Sequence, residues 1–273
     1  MATAFVASSW PMTRSPSSDS SFVRRSRSLS IIIATRNAAS TLQRCMDSIF
    51  AQTFVDFELI IVDGASRDGT REIIEACADR LAYWHSRPDI GIYDAWNQAL
   101  VHASGEYVCF LGADDALHAP DTLADIFSAI GDHSFDLVSS RANLRDSAFR
   151  LKKTIGHGFE FSGLPRRMTL VHPGLLHRRV LFDRYGLFNT RYRIAADLDF
   201  LLRLPSDTAA LHLHQVTVEI QDDGICRRQF WARIWERREV HKRCPRVGSL
   251  RANLFWADKA WRRPVARLFG LPH

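Results

Sequence analysis

From residue 29 onward the chain alternates short apolar runs with amphipathic stretches. Residues 29–34 read Leu-Ser-Ile-Ile-Ile-Ala, a β-branched run that predicts a buried strand. Ser40 or Thr41 then caps a helix that turns Leu42, Cys45, Met46, Ile49 and Phe50 to one side. A second buried strand follows at 58–63. The Asp68-Gly69-Thr70 turn leads into a helix with Ile73, Ile74, Cys77 and Leu81 inward. Next come a short strand at 82–85, a helix at 92–103, a strand at 106–111, a helix from Pro120 or Asp121, and a strand at 135–139. Strand and helix alternating at this spacing imply right-handed crossovers and a doubly wound, mostly parallel α/β sheet with flanking helices.

Beyond about residue 140 the rhythm loosens. Residues 198–204 read as helix and 209–220 alternate like a strand, so helices and an antiparallel edge are expected on the same sheet. Residues 1–28 are rich in Ser, Arg and Pro, lack any period, and are expected to be disordered. Their short apolar start lacks the basic flank of a secretory signal. Residues 227–273 set Trp231, Ile234, Trp235, Leu254, Phe255, Trp256, Trp261, Val265 and Leu268 among many Arg. This pattern predicts a basic helical extension of two amphipathic helices, broken near Pro245 and Gly248. The expected organisation is therefore 1–28, a catalytic domain at 29–226, and the extension at 227–273.

Charge sharpens this division. The net charge of +6 splits into +3 for residues 1–28, −7 for 29–226 and +10 for 227–273. A mildly acidic domain thus carries a strongly basic appendage. Arg interleaved with Trp suits an anionic membrane surface; a helix packed on the domain or forming a dimer fits the same pattern. Without a recognisable nucleic-acid module, charge alone gives no reason to expect nucleic acid as a partner. No apolar stretch approaches the roughly 18–20 residues of a membrane span. The five Cys lack Cys-x-x-Cys spacing, which suits reduced core residues in a cytoplasmic compartment, and the His residues show no zinc spacing.

Candidate chemistry lies where the parallel strands end, since ligands of such sheets bind outside the C-terminal strand edge. The first strand ends in Thr35-Arg36-Asn37, the second in Asp63-Gly64-Ala65-Ser66, and the fourth in Gly112-Ala113-Asp114-Asp115. Adjacent carboxylates at the end of a buried run call for a cation, and a divalent ion bearing nucleotide phosphates supplies one. Neither GxGxxG nor GxxxxGK[ST] follows the first strand, which disfavours a Rossmann dehydrogenase or a P-loop NTPase. Far along the chain, Asp197 opens an apolar helix. It reads either as a helix cap or as a general base.

Five segments together resemble the ordered motifs of family 2 glycosyltransferases. They are Ser-Ile-Ile-Ile-Ala-Thr-Arg-Asn at 30–37, Ile-Val-Asp-Gly-Ala-Ser-Arg-Asp-Gly-Thr at 61–70, Asp-Ile-Gly-Ile-Tyr-Asp-Ala-Trp-Asn at 89–97, Gly-Glu-Tyr-Val-Cys-Phe-Leu-Gly-Ala-Asp-Asp at 105–115, and Ala-Ala-Asp-Leu-Asp at 195–199. The Gly-Ile-Tyr-Asp-Ala-x-Asn form resembles a branch from bacterial surface-polysaccharide gene clusters. The resemblance implies a GT-A fold and an inverting, metal-dependent enzyme using a nucleotide-diphospho sugar. It places Thr35 and Arg36 in the nucleotide pocket and Asp63 on the base. Asp94 and Asn97 would border the nucleotide-sugar site, and Asp114 would face the ribose or sugar. Asp115 would hold Mg²⁺ or Mn²⁺ through the diphosphate, and Asp197 would be the catalytic base. His172 aligns with a His-containing stretch ahead of the base and is either an acceptor contact or a turn residue. Asp222-Asp223-Gly224 reads as a solvated turn or as the rim of the acceptor site.

The chain departs from the pattern at Gly64, Gly112 and Ala196, where the family carries Asp, Asp and Glu, and at Trp96, where it carries Arg. The implied acceptor is a saccharide or polyprenyl-linked saccharide, reached from the cytoplasmic face of a membrane. Competing readings are a sugar-1-phosphate nucleotidyltransferase, which needs a Gly-rich loop that 35–39 does not supply, and a non-catalytic carbohydrate- or membrane-binding relative.

Overall fold

The structure, a computed structural model, describes residues 28–158, 168–222 and 229–245. The expected disorder at 1–27, the second tail helix, Cys226 and the Asp223-Gly224 turn lie outside the described residues. In chain order the elements begin β1 (Leu29–Thr35), α1 (Leu42–Phe50), β2 (Phe57–Asp63), α2 (Thr70–Glu75), β3 (Tyr83–Ser86), α3 (Ile92–Leu100) and β4 (Tyr107–Gly112). They continue with β5 (Ala116–Leu117), α4 (Thr122–Ile130), β6 (Leu137–Arg145), β7 (Leu151–Ile155), β8 (Leu176–Arg178) and α5 (Val180–Tyr185). Last come α6 (Ala196–Arg203), β9 (Ala210–Gln221) and α7 (Phe230–Arg243).

All nine strands join one sheet in the order β3-β2-β1-β4-β8-β6-β9-β5, with β7 paired to β6. The pairs among β1 to β4 are parallel, as the alternating pattern requires. β8 runs antiparallel to both β4 and β6, so β6 and its parallel neighbour β9 point the same way as β4. The antiparallel β5, β7 and β8 are the irregular part that the loosened rhythm foreshadows.

Side-chain alternation along β1 divides the core into two layers. Leu29, Ile31 and Ile33 join α1 and α4 on one face, while Ile32 and Ala34 join α3, α5, α6 and α7 on the other. Because β1 is covered on both faces, all seven of its residues are buried, which is why it reads as an unbroken apolar run. Phe110 of β4 anchors the second layer. It is fully buried and packs on Trp96, His172, His177, Phe182 and Phe188 at ring separations of 4.7–5.9 Å. Truncating a ring buried this way typically costs about 3–5 kcal/mol.

Several elements differ from the sequence expectation. α2 ends at Glu75 and is followed by a 3-10 turn at Ala78–Arg80, so Cys77 and Leu81 are only partly buried. Thr41 precedes α1, but its hydroxyl reaches back to the Ala38 carbonyl at 3.4 Å instead of capping the helix. β6 runs on to Arg145 because β7 and β9 pair with its polar second half. Cys45, Cys77, Cys109 and Cys244 are free thiols. The first tail helix, α7, packs on α6 and places Val240 and Cys244 in the core.

Candidate active site

At the ends of β1 and β2 the backbone is tightly cross-tied. Thr35 pairs with Asp63 in register, and Gly64 donates its N–H to the Thr35 carbonyl at 2.9 Å. Asp63 is fully buried. It accepts the Ser66 N–H at 2.9 Å, the Ser66 hydroxyl, and the Ser86 hydroxyl of β3 at 2.6 Å. A buried carboxylate needs such donors, and here they fix the 63–66 loop. Asp68 accepts from Thr70 and from the Ala39 N–H at 3.0 Å, so this turn also ties the β1–α1 loop to α2. Two polar groups remain open along this edge. The buried Thr35 Oγ1 has no hydrogen-bond partner, and the exposed Arg36 makes no ion pair among the described residues.

A residue not singled out in the sequence joins them. The Asp89 carboxylate leans over Gly64, where it occupies the space a Cβ would need; Arg36 Cδ lies 3.3 Å from the same point. Asp89 also accepts the Gly91 N–H at 2.9 Å. Gly91 has φ 139°, a conformation glycine adopts readily, and it starts α3. From α3, Asp94 accepts from Gln98 at 2.9 Å. Asn97 exchanges two hydrogen bonds of 2.9 and 3.0 Å with the Phe188 backbone, so both ends of its amide pin the 188 loop. His172 is buried and stacks on Trp96 at 5.2 Å; burial lowers its pKa to about 3, which leaves a neutral ring inside the aromatic layer.

The end of β4 gathers charge. The carboxylates of Asp114 and Asp115 both fold back toward Gly112, lying 2.7 and 2.9 Å from the point where its Cβ would be. An Asp at this position would not fit this arrangement. Asp115 is buried and accepts the Gly112 N–H at 2.8 Å. Burial pushes its carboxyl well above the usual carboxylate range and Asp114 adds to this; the Gly112 bond and Arg44 act the other way. Arg44 of α1 also donates to the Asp114 carbonyl at 2.8 Å.

Asp197 lies in the first turn of α6, whose N-cap is Ala195, so the cap reading does not hold in this geometry. Its Oδ1 accepts the Leu198 N–H at 2.7 Å and lies 3.2 Å from the Tyr93 hydroxyl of α3. The same hydroxyl lies 2.9 Å from the Ile194 carbonyl, so its one proton is shared between the two acceptors. Burial raises the Asp197 pKa, while Arg237 of α7, the Leu198 N–H and Tyr93 moderate the rise. Tyr93 begins a helix that enters from the C-terminal edge of the parallel strands, the edge where Asp115 follows β4. Asp115, beside α1, and Asp197, beside α3, therefore both lie toward the C-terminal edge of the parallel strands.

Comparison with known proteins gives this arrangement a family. The profile of Glycosyl transferase family 2 matches residues 30–184, more than half of the chain. The chain belongs to glycosyl transferase family 2. A PGL/p-HBAD biosynthesis glycosyltransferase of Mycobacterium bovis is 39% identical over 201 residues, covering 71% of this chain and 77% of the relative. An uncharacterized glycosyltransferase of Mycobacterium tuberculosis is 28% identical over 208 residues, covering 72% and 76%. Among solved structures, the mannosyltransferase PcManGT from Pyrobaculum calidifontis in complex with GDP-Man and Mn²⁺ superposes with a TM-score of 0.64 at 21% identity, covering 89% of this chain and 73% of that one. S. aureus TarS in complex with UDP gives 0.60 at 20% identity, covering 86% and 71%. These likenesses establish the GT-A fold.

In this family 2 glycosyltransferase, no group of three or more His, Cys, Asp or Glu side chains forms a metal cluster among the described residues. The paired carboxylates at Gly112 still suit one hard cation. Mg²⁺ characteristically takes one or two carboxylates and fills its shell with substrate phosphates and water. Burial, and then the neighbouring Asp114, hold the Asp115 carboxyl above the usual carboxylate range. Tyr93, Asp89, Arg44 and Arg237 are among the residues that sequence reading missed. Tyr93 and Asp89 lie inside a quoted motif, but their partners are set only by folding.

The strain at Asp115 has a measurable sign. A carboxyl whose pKa rises on folding destabilises the native state once pH exceeds its unfolded value of about 3.9. At pH 7 in EDTA, Asp115→Asn removes this charge and keeps an oxygen for the Gly112 N–H. Its melting midpoint should exceed that of wild type. A midpoint at or below wild type contradicts the assignment.

Proposed function

We propose that this protein is an inverting glycosyltransferase that moves a sugar from a nucleotide-diphospho donor to an acceptor hydroxyl, with Asp197 as general base. Supporting this is the placement of Asp197. It is tied to Tyr93 of the 89–97 motif on the sheet edge where Asp114 and Asp115 converge. Family membership supplies the reaction type, and two proteins of the same fold carry UDP and GDP-Man.

Thr35 and Arg36 offer unpaired donors to the nucleotide, and Asp63 holds the loop beneath the base. Asp94 borders the sugar side of the pocket, and Asn97 shapes its wall through Phe188. Asp114 faces the ribose or sugar, and His172 backs the acceptor side from the aromatic layer. Asp115, with Asp114 beside it, would hold Mg²⁺ or Mn²⁺ at the diphosphate, where such an ion supplies charge neutralisation for the departing nucleoside diphosphate. Asp197 takes the proton of the acceptor hydroxyl as its oxygen bonds to the anomeric carbon. The bond from that carbon to the phosphate oxygen breaks on the opposite face, which inverts the configuration. A base raised above the ordinary carboxylate range by burial is better matched to this transfer.

The acceptor we propose is a saccharide or polyprenyl-linked saccharide at an anionic membrane surface, as in surface-polysaccharide synthesis. Trp231 and Trp235 stand one turn apart on α7 and are each 60% exposed, beside the +10 tail. No helix among the described residues is long and apolar enough to cross a membrane.

A panel of UDP- and GDP-sugars with Mn²⁺ should identify at least one donor from which wild type releases nucleoside diphosphate. Asp197→Asn should lower kcat by about 10²–10⁴-fold with donor KM nearly unchanged; wild-type turnover by this variant would discard the base. In flotation with vesicles of phosphatidylglycerol, wild type should rise with the lipid, and Trp231→Ala/Trp235→Ala should stay behind. Equal flotation of both would remove α7 from the membrane contact.

A further inference from the structure

The turn that delivers Asp197 to α6 is held by a side chain from far downstream. Glu236, in the middle of α7, points its carboxylate at three consecutive backbone amides. Its oxygens accept from Arg193 N–H at 3.0 and 3.1 Å, Ile194 N–H at 2.8 Å and Ala195 N–H at 3.1 Å. Glu236 is 9% exposed, and no basic side chain pairs with it among the described residues. Its charge is therefore balanced by the turn itself and by the N-terminal end of α6. Val240 and Cys244 lie on the same face of α7 and press it onto α6, so the carboxylate is aimed by core packing.

The next residue, Arg237, donates to Met168 Sδ at 3.2 Å, and its charge pulls the pKa of the base down. The groups that act on Asp197 are thus Tyr93 from α3, the Leu198 N–H and its own backbone N–H from α6, and Arg237 from α7. The site also lacks a local carboxylate before the base, since position 196 is Ala.

We infer that Glu236 is a positioning residue for glycosyl transfer: it locks the Arg193–Ala195 turn and through it the carboxylate of Asp197. The inference rests on Asp197 being the base. α7 then becomes a working part of the transferase, although it lies beyond the residues that the family profile matches. Three charge-assisted hydrogen bonds on successive amides leave that turn little freedom. Loss of the lock would let the base drift without disturbing the donor pocket on β1, β2 and β4.

The test compares Glu236→Gln with Asp197→Asn in the full chain, using the nucleotide sugar that the donor panel selects. Gln keeps one acceptor oxygen where Glu has two, turns an NH₂ toward the remaining amide contact, and carries no charge to strengthen the bonds. For Glu236→Gln we expect kcat to fall about 10–100-fold, the scale of a small misplacement of a reacting group. Donor KM should stay within about threefold, the split expected when a transition-state interaction alone is lost. Hydrogen exchange should accelerate at Ile194 and Ala195 while β1, β2 and β4 keep their protection. Glu236→Asp, which retains the charge, should recover part of kcat. Wild-type kcat or unchanged amide protection in Glu236→Gln overturns the inference, as does a uniform loss of protection with KM rising alongside. Should Asp197→Asn itself turn over normally, the base assignment fails and this inference fails with it. An inactive Asp197→Asn beside a fully active Glu236→Gln removes this inference alone.

Discussion

Three carboxylates sit where water is being excluded, at the ends of elements whose neighbours are apolar, and the structure around them is arranged to make that tolerable. Asp63 is hydrogen-bonded locally by hydroxyls and an amide and serves as scaffold. Asp115 is not fully compensated: one amide and a nearby Arg44 oppose burial and a like-charged neighbour, and its pKa stays high. Asp197 falls between, with Tyr93, a backbone amide and Arg237 each offsetting part of its desolvation. Graded compensation of this kind separates scaffold from chemistry. A fully satisfied carboxylate holds shape, whereas an under-satisfied one is ready for a proton or a cation.

Three of the departures from the family pattern stand beside carboxylates. At Gly64 the Asp89 carboxylate covers the position where a side chain would start. At Gly112 the carboxylates of Asp114 and Asp115 curl back over the missing Cβ. Beside Ala196, Glu236 reaches the turn from α7. At Gly64 and beside Ala196 a carboxylate from elsewhere in the chain occupies the locality, whereas at Gly112 the motif's own Asp114 and Asp115 fill the space and one acidic group is lost.

How much of this was legible beforehand depends on the range of the interaction. β1, β2 and β4 were readable because continuous burial writes a continuous apolar run. α1 was readable because one buried stripe repeats at helical spacing. The early end of α2 was hidden, since Ile73, Ile74, Cys77 and Leu81 keep helical spacing although the backbone turns to 3-10 geometry. The second half of β6 was hidden because Arg141, Asn143 and Arg145 look like loop until β9 pairs with them. Asn97 announced itself by its motif, yet its clasp on Phe188 is a tertiary fact. Glu236 gave no signal, because a Glu among Arg residues on a tail helix reads as a solvated charge.

The proposed mechanism turns on Asp115 at the end of β4, with Asp114 beside it, holding the donor diphosphate through one divalent ion on the strand edge that Asp197 also approaches. Anomalous scattering from crystals grown with Mn²⁺ and UDP or GDP measures this most directly. The account predicts a single Mn²⁺ peak at about 2–2.3 Å from an Asp115 oxygen, with diphosphate oxygens completing its shell. Nucleotide bound with its Mn²⁺ held away from Asp114 and Asp115, or along a different edge of the sheet, would contradict it.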